Sequence, residues 1–204
     1  MATILFVVTG ADVWTLNDGS KHPTGFWAEE LLVPHRAFTE AGHQVTVATP
    51  GGVVPVADRA SVPDEATAEA IAAVAELRRP VKLEDVDPAD YDAVFYPGGH
   101  GPMEDLAVSA ESGRLLTGAL ASGRPLGVVC HGPAALLAAR TEDGGSPFAG
   151  RRITAFTNEE ERLAGLADKA PWLLQDRLVE LGVDFEAGEP WAPHVVVDRN
   201  LVTG

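Results

Sequence analysis

Short, β-rich apolar runs alternate along this chain with longer stretches of helical periodicity, and few architectures can absorb that order. The runs are Thr3 to Thr9, Gln44 to Thr49, Asp92 to Tyr96, Pro125 to Val129, Arg152 to Phe156 and His194 to Val197. Most are apolar throughout, as strands covered on both faces are. Helical patterns fill the gaps. Gly25 to Ala41 carries Phe26, Trp27, Leu31, Leu32 and Phe38 and stops at Gly42; Glu65 to Arg78 is alanine-rich; Glu111 to Ala121 ends before Gly123; Pro171 to Leu181 ends before Gly182. Pro34 is expected to kink or divide the first of them. The pattern predicts an α/β fold, a doubly wound, mostly parallel sheet with helices on both faces, in a single domain over residues 1–204.

Gly51 to Pro63 and Thr141 to Gly150 read as loops at the sheet edge, and there is no internal repeat or low-complexity tract. Asn200 to Gly204 reads as a short strand. Because doubly wound domains normally finish with a covering helix, this chain is expected to lack its last one.

With 204 residues, 46% hydrophobic and 22% charged, the chain has enough apolar material for one sizeable core. A formal charge of −15 opposes phosphate backbones and anionic lipid, so neither nucleic acid nor membrane is an expected partner. The single cysteine forms no intramolecular disulfide, and no basic segment followed by an apolar run marks the start, which points to a cytoplasmic protein. Apolar stretches such as Ile4 to Val8 and Pro133 to Ala139 fall far short of the roughly 20 residues that cross a bilayer.

The chemistry concentrates in three segments. In the first, Pro125-Leu-Gly-Val-Val-Cys130-His131-Gly132-Pro133, an apolar strand runs through a two-residue turn into a helix with proline in its first turn. A thiol at such a junction faces the crevice at the carboxyl ends of the strands. The positive end of the helix dipole is expected to lower its pKa and make it a nucleophile, with His131 as a titratable neighbour. A lone cysteine is otherwise a small buried hydrophobe.

The second segment, Asp92 to Asp105, carries Pro97-Gly98-Gly99-His100-Gly101-Pro102. Its glycines lack a dinucleotide fingerprint or a P-loop lysine, so no nucleotide cofactor is expected. Gly98 and Gly99 are instead placed to present backbone N–H groups as an oxyanion hole, with His100 in the same substrate-binding turn. The histidines show no spacing typical of a metal site, and no metal is expected. The third segment, Thr24 to Pro34, puts Glu29 and Glu30 at a helix start. Glu30 lies among apolar positions and is read as inward-facing, with a raised pKa; Glu29 is read as solvated.

These three motifs, together with Ile153 to Glu161 and His194 to Gly204, resemble the PfpI-type superfamily, related to class I glutamine amidotransferases and including the parkinsonism-associated deglycase. The glyoxalase III-like stress chaperones within it are the nearest likeness. The resemblance implies a flavodoxin-like fold, a homodimer, Cys130 as nucleophile and Glu30 hydrogen-bonded to its sulfur. It further implies an acidic residue that orients His131, read as Glu161 with Glu159 as the alternative. The downstream His-x-Glu pair of true amidotransferases is missing.

The implied activity is glutathione-independent conversion of a small aldehyde substrate, methylglyoxal or another 2-oxoaldehyde, to D-lactate without any cofactor. Alternatives are a stress chaperone or cysteine redox sensor, and a peptidase or isonitrile hydratase-like enzyme.

Overall fold

A computed structural model describes residues 1–204. It begins with β1 (Thr3–Val7), the hairpin β2 (Val13–Thr15) and β3 (Lys21–Pro23), α1 (Ala28–Glu40) and β4 (Gln44–Thr49). There follow α2 (Glu65–Ala73), β5 (Val81–Lys82), β6 (Ala93–Tyr96), α3 (Gly101–Glu104), α4 (Ala110–Ser122) and β7 (Leu126–Val128). The last part holds β8 (Arg152–Ile153), α5 (Asn158–Leu163), α6 (Leu174–Glu180), β9 (Asp184–Phe185), β10 (Val196–Asp198) and β11 (Leu201–Thr203).

Seven strands form one sheet in the order β10-β11-β7-β6-β1-β4-β5, all parallel except the antiparallel edge pair β10 and β11. The mostly parallel, flavodoxin-like α/β sheet is therefore present. Side chains alternate across a strand, and β1 divides accordingly. Leu5 and Val7 enter a large core with residues of α3, α4, α6 and the segment after β7, while Ile4 and Phe6 enter a smaller one with Phe26, Leu31, Val74 and Leu77. Helices thus cover both faces.

Several expected elements are corrected. Arg152 to Phe156 does not join the main sheet: β8 pairs only with β9, and the chain beyond it is drawn to the sheet end. There Thr154 N–H donates to Thr203 Oγ1 at 2.9 Å and Phe156 N–H to the Cys130 carbonyl at 2.9 Å. Helix α1 passes through Pro34 undivided, because Leu31 and Phe38 anchor it on the smaller core on either side of the proline. Glu65 to Arg78 is broken at Val74, which is extended; the break lets Val74 and then Leu77 reach that same core. Proline Pro171 lies outside α6, and the segment after Cys130 is a 3-10 helix over Gly132–Ala138. The β2–β3 hairpin, β5 and β9 are additional to the six expected strands, being too short for a periodic signal. No helix is long and apolar enough to cross a membrane.

Helix α4 packs against the 3-10 segment through Gly113, where a Cβ would lie 2.2 Å from the Ala138 carbonyl oxygen. Alanine normally stabilises a helix interior by up to about 1 kcal/mol over glycine. Here the added methyl overpacks backbone, so Gly113→Ala is expected to destabilise by about 2 kcal/mol. Urea unfolding measures the sign; a more stable variant would contradict this packing.

Candidate active site

Strand β7 ends in a turn whose cysteine has a left-handed backbone: Cys130 has φ 57. That conformation costs a side-chain-bearing residue about 1–3 kcal/mol and persists only where neighbours impose it. They do so on both sides. Val129 N–H donates to the Tyr96 carbonyl at 3.1 Å, Cys130 N–H to Gly204 at 2.7 Å, and the Cys130 carbonyl accepts from Phe156. Gly132 completes the turn, since a Cβ there would lie 2.8 Å from the Tyr96 carbonyl oxygen.

Beside the sulfur stands His131, almost fully buried, with Nδ1 at 3.4 Å from Sγ. Its Nε2 lies 2.9 Å from Glu161 Oε2. The other carboxylate oxygen, Oε1, is 2.9 Å from His100 Nε2. Burial disfavours the Glu161 anion, but the hydrogen bonds from His100 and His131 outweigh it and hold the carboxyl at about 2. A carboxylate accepts, so both Nε2 atoms carry protons. His131 is held neutral because burial, followed by the neighbouring His100, brings it down to about 4. The tautomer then leaves Nδ1 as an acceptor toward the thiol, the Cys-His-carboxylate logic of a nucleophile, its base and an orienting acid.

Glu30 reaches the sulfur from the other side. It sits in the first turn of α1, and its Oε2 accepts from Gly98 N–H at 2.7 Å. Burial raises its carboxyl to about 7, against the hydrogen bonds from Cys130 and Gly98. The thiol is not lowered as its position in the sequence suggests. Burial and the adjacent Glu30 carboxyl push Cys130 well up, although the N–H groups of Gly99 and His131 lie against the sulfur and pull the other way. The helix dipole expected to lower it is curtailed in a 3-10 segment that begins two residues later.

All seven candidate residues meet here. Gly98 must lack a side chain, since a Cβ would lie 2.7 Å from the Cys130 Cβ; Gly99 has φ 87 and would meet the Gly25 carbonyl at 2.3 Å. The N–H of Gly98 is spent on Glu30, whereas that of Gly99 points at the Cys130 sulfur, beside the position a carbonyl oxygen would take. Of the three consecutive glutamates, Glu159 is exposed and pairs with Arg162, whereas Glu161 is buried.

The sulfur opens into a cavity of about 670 Å³. Sequence reading overlooked its far wall, residues 188–195, and in particular Trp191. This tryptophan is 61% exposed, has φ 62, and stands edge-on to Phe156 at 5.6 Å, which in turn lies 4.2 Å from the His131 ring. Its backbone N–H donates to Glu160 Oε1 at 3.0 Å. An aromatic residue between Pro190 and Pro193, in a stretch with no helical or strand period, was the available signal. His100, His131 and Glu161 offer metal-ligand atoms within 4.8 Å of one another. Their three facing groups satisfy one another as two donors and one bridging acceptor, so the set needs no ion to hold it together.

The model of the DJ-1/PfpI family matches residues 23–204. A curated relative, the protein/nucleic acid deglycase HchA of Pseudomonas aeruginosa (strain UCBPP-PA14), is 33% identical over an alignment covering 98% of this chain and 74% of its own. Glyoxalase 3 of Candida albicans is 29% identical, covering 100% and 92%; the crystal structure of glyoxalase III from that organism superposes with a TM-score of 0.85 at 27% identity, covering 100% and 90%. The Rapid Encystment Protein 24 KDa of Francisella tularensis has a TM-score of 0.89 at 30% identity, covering 100% and 91%.

Glu30 links the site to stability. A carboxyl raised from 4.5 to about 7 on folding stabilises the protein below the lower value, and that contribution is lost as pH rises through the higher one. The loss amounts to at most about 3 kcal/mol. His131, lowered from 6.5 to about 4, titrates in the opposite sense, favouring the fold as pH rises. The difference between Glu30→Gln and wild type isolates Glu30. Denaturant unfolding between pH 4.5 and 8 is expected to show the variant gaining relative stability as pH rises; a constant difference would mean that Glu30 is not raised.

Proposed function

The chain belongs to the DJ-1/PfpI family, and from that premise we propose that it is a glutathione-independent glyoxalase, converting methylglyoxal or a similar 2-oxoaldehyde to D-lactate. The observation that carries this reading is the thiol of Cys130 lying between two proton acceptors, Glu30 and His131 Nδ1, at the floor of an open cavity. The names of the relatives, a glyoxalase and a deglycase, favour an enzyme of this type.

As the sulfur adds to the aldehyde carbon, its proton passes to Glu30 or His131, and the new oxyanion meets the Gly99 N–H. The product is a hemithioacetal with its former aldehyde hydrogen still on C1. Glu30, near neutrality, is suited both to remove that hydrogen and to return a proton to C2 through an enediol, leaving a thioester of the 2-hydroxy acid. Water activated by His131 then attacks the thioester, releasing lactate and restoring the thiol. Only protons and one water are consumed or returned, so the residues present suffice for a redox-neutral isomerisation and hydrolysis.

A second reading, removal of 2-oxoaldehyde adducts from larger molecules, is favoured by the cavity volume, which greatly exceeds a three-carbon substrate.

Purified protein given methylglyoxal without glutathione is expected to form D-lactate, measured by a chiral lactate assay. Cys130→Ala should lose at least about a thousandfold in kcat. Wild type that makes no lactate, or a variant that keeps making it, refutes the proposal. The two readings separate when the thiol adduct of methylglyoxal is varied at fixed free methylglyoxal. A glyoxalase rate follows the free aldehyde alone, while direct action on the adduct makes the rate rise with adduct.

A further inference from the structure

We infer that His100 is a positioning residue: acting through Glu161, it holds His131 in the tautomer and orientation that turn Nδ1 toward the Cys130 sulfur. This is independent of which carbonyl compound the enzyme turns over.

His100 immediately precedes α3, in the glycine-rich turn where β6 ends, and its Nε2 is 2.9 Å from Glu161 Oε1. The same carboxylate takes His131 Nε2 on its other oxygen at the same distance. A buried carboxylate anchored by one donor is free to rotate about its last side-chain bond and leaves an oxygen unmet; a second donor fixes its plane. His100 is itself fixed. Its ring stacks on the buried Trp14 at 4.9 Å and 21°, and lies 4.0 Å from the His131 ring. The titratable groups around the bridge are His22, edge-on to His100 at 6.2 Å, Glu30 across from His100, and Glu160 on the helix that carries Glu161. None of these hydrogen-bonds the Glu161 carboxylate, so His100 is the one side chain that meets Oε1.

The chain of contacts gives His100 no direct bond to the sulfur. A substrate-binding role, the rival for a residue lining the cavity, predicts a different signature: a changed KM at constant reactivity of the thiol.

The test uses the one cysteine as its own reporter, through its rate of alkylation by iodoacetamide as a function of pH. Glu161 with a single donor is a less stabilised, more basic carboxylate that favours protonation of His131, so the acidic limb of the profile in His100→Phe should move to higher pH. The rate at pH 6 is expected to fall about tenfold. His100→Gln, whose amide N–H reaches the Nε2 position, should stay within about threefold of wild type, while the shorter His100→Asn should resemble His100→Phe. In a Glu161→Gln background the His100→Phe change should add little, because its effect runs through Glu161. With methylglyoxal, kcat should fall and KM should hold. The inference is overturned by a wild-type alkylation profile in His100→Phe, by equal rates for the Gln and Asn variants, by additive effects with Glu161→Gln, or by a raised KM at unchanged kcat. Should His100→Phe fail to fold, the Gln and Asn pair decides alone. Loss of lactate formation by wild type would refute the glyoxalase reading and leave these alkylation outcomes intact.

Discussion

The left-handed turn at Cys130 is the constraint on which the rest of the site depends. A residue with a Cβ resists φ 57, and the turn holds because three separate parts of the chain hydrogen-bond to it: the end of β6, the end of β11 and the strandless segment before α5. Two of those parts bring functional groups. The β6 end continues into Gly98, Gly99 and His100, and the segment at Phe156 continues into α5 and Glu161. Tying the turn therefore also assembles the site. Two parallel neighbours, β6 and β11, flank β7, so the sulfur emerges at the middle of the sheet end and not at its edge.

The charge arrangement follows from burial more than from the helix dipole. Around one sulfur lie an anion at Glu161, a neutral imidazole at His131, and a Glu30 carboxyl close to neutrality. A permanent thiolate beside Glu30 would place two negative charges together in a poorly solvated pocket, which is why the thiol is pushed up. Such a site does not store a nucleophile. It makes one when an electrophile arrives, by moving one proton over a few ångströms, and the group that receives the proton is then ready to return it. This suits a reaction made of successive proton transfers at adjacent carbons.

Much of this was legible in the sequence, for physical reasons that differ by residue. Several buried strands were visible because they are continuous apolar runs, and the alternating, β-branched run Gln44 to Thr49 coincides with β4 to the residue. The elbow was visible because strand, Cys-His, Gly-Pro and an alanine-rich run is a rare order. What was not legible depends on contacts distant in sequence. Arg152 to Phe156 has strand propensity throughout, yet bonds to Thr203 and Cys130 take its second half off the sheet. The direction of the thiol shift was also missed, since it comes from burial and from Glu30, 100 positions earlier. Trp191 was missed because its partner Glu160 lies in a charged run that reads as solvent-facing.

That run shows how much one helical turn can separate. Glu159, Glu160 and Glu161 are identical in chemistry, and successive residues on a helix point about 100° apart. The first faces solvent and pairs with Arg162, a contact of little energetic weight. The second accepts from Thr157 N–H at 2.8 Å in a capping box and, on its other oxygen, from Trp191 N–H, so it fixes both the start of α5 and the far wall of the cavity. The third turns inward to the two histidines. Because the capping box sets the rotation of α5, it also sets the direction of Glu161, and the wall that shapes the cavity is tied to the same residue. The dimensions of the binding space and the alignment of the proton acceptor are thus coupled through Glu160, a side chain that touches neither the sulfur nor His131 by hydrogen bond.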